Sequence, residues 1–135
     1  MGGMIDRPSG AELLAEARRV LLEELLDLLP PDRRYDARMI ANAMAIAARE
    51  LEATDAPLRA ALRELSALYG ESAIPGPGGP GPEERFVELS RRLAADIRAG
   101  LFDAPDPRGQ AVRDHLRAVT AARLRLSNPK ALAEE

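Results

Sequence analysis

Residues 35–52 read YDARMIANAMAIAARELE, a run with neither proline nor glycine. It is rich in alanine and methionine, which favour helix, and its apolar residues do not alternate with polar ones as a half-buried strand requires. Projected at ~100° per residue, Met39, Ile40, Met44, Leu51 and the alanines cover most of the circumference. Arg38, Asn42 and Arg49 gather into one narrow arc, flanked by Tyr35 and Ile46 on one side and Ala45 on the other. A helix apolar nearly all round is expected at the centre of a bundle, and its alanines allow neighbours to approach closely. The stretch therefore predicts helices packed on helices.

The flanking sequence extends this reading. Upstream, Ser9 and Glu12 form a capping-box signature for a helix that should run to Leu29 and stop at Pro30-Pro31. Glu12, Glu16, Arg19, Glu23 and Asp27 share one of its faces, with Leu14, Ala17, Leu21, Leu25 and Leu28 opposite. Asp32 is the expected N-cap of the second helix. Downstream, Thr54 and Asp55 offer a cap, and Pro57 suits the first turn of a third helix striped by Leu58, Leu62, Leu65 and Tyr69. Gly70 is placed to end it in a left-handed turn.

Residues 74–82, IPGPGGPGP, contain only Pro and Gly after the isoleucine, which excludes a helix or central strand. Alternating glycines remove the stiffness of a polyproline ligand, so an exposed connector is the expectation. A fourth helix over 83–99 follows, with Phe86, Leu89, Leu93 and Ile97 inward and Gly100 past its end. A fifth, over 108–127, is lined by Val112, Leu116, Val119 and Leu126 and ends at Asn128-Pro129. The expected fold is all-α: a five-helix bundle in one helical domain, 1–135, with three N-terminal and two C-terminal helices joined by the Pro/Gly linker.

Composition narrows the function. The chain has no cysteine and a single histidine, His115, which excludes disulfides, thiolate chemistry and multi-histidine metal sites. The MGGMIDRPSG start lacks a basic, apolar leader, and no apolar run approaches the ~20 residues of a membrane span, so a cytoplasmic protein without membrane contact is expected. Net charge is −3, although 107–130 is basic, with only Asp114 opposing its arginines and Lys130. Without aromatic residues interleaved for base stacking, nucleic acid is not an expected partner.

Four side chains are candidate contact residues for a ligand or partner. Arg38 and Arg49 flank Asn42 as they would to receive a carboxylate or phosphate; the same arc also reads as a solvent edge or as ion-pairing residues. Arg123 projects inside the apolar face of the fifth helix, where a charge must be paired. A helix-one carboxylate such as Glu24 would serve, and an anion-binding or acidic-partner surface is the alternative. His115, at the margin of that face and without a Ser or Cys partner in a recognisable motif, reads as a packed, singly hydrogen-bonded residue. The adjacent acidic pairs diverge by ~100° on a helix, and the glycine-rich runs lack a following Gly-Lys-Ser/Thr. No catalytic, metal or cofactor constellation emerges.

RPSGAELLAEARRVLLEELLDLLP, RMIANAMAIAAREL and VRDHLRAVTAARLRLSNPKAL together resemble a bacterial family of small all-helical proteins of unknown function. Its members are typically encoded beside aminoglycoside-phosphotransferase-like and acyl-CoA-dehydrogenase-like proteins. The residues carrying the resemblance are Arg7-Pro8, Glu12-Leu13-Leu14, Arg38, Asn42, Arg49-Glu50 and Asn128-Pro129. The resemblance implies no activity. It implies an accessory to a phosphotransferase-like or dehydrogenase-like partner, so a non-catalytic interaction module is the expected function. The alternative is a bundle holding an anionic metabolite, of acyl-CoA or acyl-phosphate type, at the arc of the second helix. Leucine-rich helices with spare apolar faces also leave a homodimer open.

Overall fold

A computed structural model describes residues 7–72 and 76–133. Among these residues there are five α-helices and no strand: α1 (Gly10–Val20), α2 (Arg34–Glu52), α3 (Ala56–Tyr69), α4 (Pro82–Arg98) and α5 (Pro107–Ser127). The all-α, five-helix expectation is met. The chain divides into two compact units, residues 1–53 and 54–135. The grouping is thus two helices and three, not the expected three and two. The reason lies in α3, whose leucine stripe is the packing partner of α4 and α5, so the Pro/Gly stretch falls inside the second unit.

The first unit is a pair of helices. Ser9 Oγ accepts from the Glu12 backbone N–H at 3.2 Å and the Glu12 carboxylate accepts from Ser9 N–H at 2.7 Å, completing the capping box. The α-helical pattern ends at Val20, where one π turn, Leu21–Leu25, and a 3₁₀ turn, Leu26–Leu28, carry the chain to the prolines. A π turn holds one residue more than an α turn. The inward stripe consequently moves from the expected Leu25 and Leu28 to Leu22, Leu26 and Leu29, leaving Leu25 46% and Leu28 80% exposed. Arg34 donates to the carbonyls of Leu29 and Asp27, at 3.3 Å each, and so satisfies acceptors that this irregular end leaves open. Asp32 does not cap α2, which begins from a 3₁₀ turn, Pro31–Arg33.

Within this unit α2 is not central. The fully buried side chains among the described residues are Ala11, Ala37 and Ala41, while Tyr35, Met39, Ile40 and Leu51 are exposed. The alanines bring α1 and α2 close together, but they bury little area, so the pair has a seam and no core.

The second unit has the core. Leu62, Leu65, Leu89, Leu93, Phe102 and Val112 are buried together, with Leu58, Leu68, Tyr69 and Phe86 packed around them. Leu65 and Leu89 are almost wholly enclosed, each worth about 1.5–3 kcal/mol relative to exposure. Gly70 ends α3 at φ 66°, the expected left-handed cap, and Gly100 follows α4 at φ 81°. In the connector, Ile74 and Pro75 lie outside the described residues; Gly79 N–H closes a turn on Gly76 C=O at 2.9 Å, and Gly81 precedes Pro82 at the start of α4. Asp106 Oδ1 accepts from Gly109 N–H at 2.8 Å to cap α5. After Asn128 the chain makes a 3₁₀ turn, Pro129–Leu132.

Candidate partner-binding strip on the second helix

The regular α geometry of Arg34–Glu52 places Arg38, Asn42 and Arg49 along one side of α2, as their spacing requires. Their environments differ. Arg38 and Asn42 are exposed, whereas Arg49 is half-buried and already engaged in an interaction of its own. Arg38 makes no ion pair with another described residue. Tyr35, 69% exposed, and Met39 lie beside Arg38 and Asn42, so the exposed strip reads Tyr35, Arg38, Met39, Asn42. This is an open helix flank.

Arg123 stands apart in the second unit. It is exposed on α5 and pairs with no carboxylate of its own unit among the described residues. The projection treated α5 as inward-facing along its whole length. Its buried residues, Gly109, Val112 and His115, all lie in the first half, and Arg123 projects beyond that core. Glu24 is satisfied within its own helix, 3.1 Å from Arg19, which also holds Glu16 at 2.7 Å and Glu23 at 3.1 Å. The hydrogen bond from Arg19 keeps the Glu16 carboxyl below its ordinary range, and the same contacts push the Arg19 guanidinium higher.

The second unit contains two polar constellations that the sequence reading missed. His115 is buried, with Nδ1 2.5 Å from Glu64 Oε2; the expectation of a packed, singly hydrogen-bonded histidine is met, but Glu64 was not identified as its partner. Tyr69 donates its hydroxyl to Asp96 Oδ2 at 2.7 Å, and the Arg92 guanidinium lies 4.0 Å from the centroid of its ring. Glu71, just past the Gly70 cap, accepts from Arg92 at 2.5 Å and from Arg85. These arginines, Arg92 first, hold the Glu71 carboxyl below its ordinary range. A signal for the tyrosine was available: a hydroxyl on an inward stripe needs a polar partner.

Burial, then the bond to Asp96, pushes the Tyr69 hydroxyl up to about 12, which keeps it protonated and unsuited to act as a base. Among the described residues, no three histidine, aspartate or glutamate side chains cluster as metal ligands. A shallow depression on α4 is lined by Glu83, Glu84, Val87, Glu88 and Arg91, too acidic a set to attract an anion. No helix of the described residues is long and apolar enough to cross a membrane.

A protein-family model described as a domain of unknown function, DUF6285, matches residues 27–131. The match takes in α2 to α5 whole and the last leucines of the first helical segment. No curated protein and no solved structure matches the chain. Since the family model spans well over half of the residues, including both polar constellations and the strip on α2, the chain belongs to the DUF6285 family.

Proposed function

We propose that the protein is a non-catalytic interaction module of the cytoplasm, which binds a protein partner through the α2 strip. One observation carries the reading: Tyr35, Arg38, Met39 and Asn42 stand exposed together on an open helix flank. Tyrosine, arginine and methionine are enriched at protein interfaces, and tyrosine and arginine often dominate binding energy once a partner excludes water from them. The resemblance to proteins encoded beside aminoglycoside-phosphotransferase-like and acyl-CoA-dehydrogenase-like proteins supplies the candidate partners. An anionic metabolite at Arg38, Asn42 and Arg49 is the weaker reading, because a convex flank gives a small ligand no walls with which to displace water.

The test is co-expression of the tagged chain with each of the two neighbouring proteins, followed by affinity measurement. A complex with one of them, weakened at least tenfold by Arg38→Glu and by Tyr35→Ala, supports the proposal. Recovery of the chain without either protein would overturn it.

A further inference from the structure

The first helical segment carries four doubled leucines: Leu13-Leu14, Leu21-Leu22, Leu25-Leu26 and Leu28-Leu29. Consecutive helical residues diverge by ~100°, so each pair serves two neighbouring faces. In three pairs the second leucine is half-buried and the first is exposed; in the pair at the π turn both are half-buried. The hairpin therefore half-buries one leucine of three pairs and both leucines of the fourth. Leu13, Leu25 and Leu28, with Ala17, form a second stripe that α2 does not cover.

On α2, Ile40 and Leu51 continue this stripe. Leu51 Cδ1 would lie 3.3 Å from a Cβ at Gly10, which places the end of α2 against the start of α1 and makes the pair antiparallel. In that arrangement the side of α2 carrying Ile40 and Leu51 adjoins the outer leucines. Leu13 is 57%, Ile40 51% and Leu51 63% exposed. The Arg38 strip occupies the other side of α2.

We infer that a second copy of this chain covers the apolar face, two hairpins meeting about a two-fold axis to form a four-helix bundle. Three features favour a copy of the chain as the occupant. First, the footprint is of the right order: α2 is ~28 Å long and two adjacent helices are ~20 Å wide, giving roughly 560 Å² in projection and more as accessible surface. That approaches the ~800 Å² per partner of a standard stable interface. Second, the face offers protruding Leu13, Ile40 and Leu51 beside the small Ala17 and Ala47, so a two-fold axis can set protrusions over gaps. Third, bordering charges are engaged within the protomer, Glu16 and Glu24 on Arg19 and Asp36 on Arg33, which lowers the cost of bringing like edges together. The dimer turns both Arg38 strips outward, so it is bivalent toward a partner.

Light scattering and sedimentation of the full chain test this directly. The expected species has twice the 14.6 kDa chain mass at micromolar concentration. Leu13→Glu and Ile40→Glu, both at exposed positions, should return it to the monomer with the helical circular dichroism signal kept, while Arg38→Glu remains dimeric. The chain has no cysteine, so Ala17→Cys supplies a unique thiol whose oxidative cross-linking should require the dimer and fail in the Ile40→Glu background. A wild-type monomer across this range, including one that joins only a different protein, overturns the inference. So does a dimer indifferent to both face variants. Loss of partner binding in Arg38→Glu with the dimer intact separates this inference from the proposed function.

Discussion

His115 Nδ1 lies 2.5 Å from Glu64 Oε2 and ties α5 to α3 across 51 residues of sequence. The imidazole is buried, whereas the carboxylate reaches it from a partly exposed position. Removing the acceptor strands the ring nitrogen inside the unit. Glu64→Ala should therefore destabilise the protein by about 1–3 kcal/mol, and Glu64→Gln, which keeps an oxygen acceptor, should recover most of that loss. Urea titration of both variants checks the order.

Tyr69 and Asp96 hold α3 to α4 in a similar way, and Tyr69→Phe should cost about 1 kcal/mol near neutral pH. The tyrosine also predicts an alkaline limit. Its folded-state value is raised to about 12 from an ordinary 10, so the fold retains a proton that the unfolded chain loses in that interval. Its stabilising contribution is present below pH 10 and falls as pH rises from 10 toward 12. Thermal denaturation between pH 8 and about 11.5 should show a decline that is smaller in Tyr69→Phe.

Leu65 and Leu89, on α3 and α4, are the most enclosed large side chains of the one buried cluster. Truncation of either to alanine leaves a cavity that the surrounding helices fill only in part. Each variant should lose about 2–5 kcal/mol, and the double variant should depart from additivity because the two sites share neighbours. Equilibrium unfolding of the three variants gives the coupling directly.

Two glycines should respond differently to alanine. At Gly70 an added Cβ meets nothing within 4 Å, so the cost is that of the left-handed backbone alone, about 1 kcal/mol. At Gly109 the same atom would stand 2.7 Å from the Ala104 carbonyl oxygen and 3.0 Å from that of Phe102. Gly109→Ala must push the start of α5 off the loop that precedes it. It should be the more damaging change by melting temperature.

The second unit was legible because its signals are local and agree with one another. Gly70, Pro57, Gly100 and most of the leucine stripes mark an end or a face that tertiary packing uses, although Ile97 and Leu116, expected inward, are 38% and 43% exposed. The first unit was less legible because its doubled leucines satisfy two stripes equally well. A projection with one constant angle cannot choose between Leu25 and Leu26, and the π turn makes that choice. The apolar breadth of α2 likewise indicates what needs covering without saying what covers it. Of the candidate residues, spacing alone brought Arg38, Asn42 and Arg49 to one side, but their unequal exposure depends on neighbours that spacing does not contain. The burial of Arg123 was misjudged for a simpler reason. A helical wheel has no length, and α5 outruns its core.

Glu71 leaves a last mark on the chain. By gripping Arg85 and Arg92, two turns apart on α4, it clamps the entrance of the Pro/Gly connector to the helix at its exit. The clamp shares the work of holding α3 to α4, so the intervening residues can lengthen at a cost of only ~0.6 kcal/mol per doubling. New termini, or an inserted reporter, can therefore be placed at Gly78-Gly79 with the helices on either side left in register.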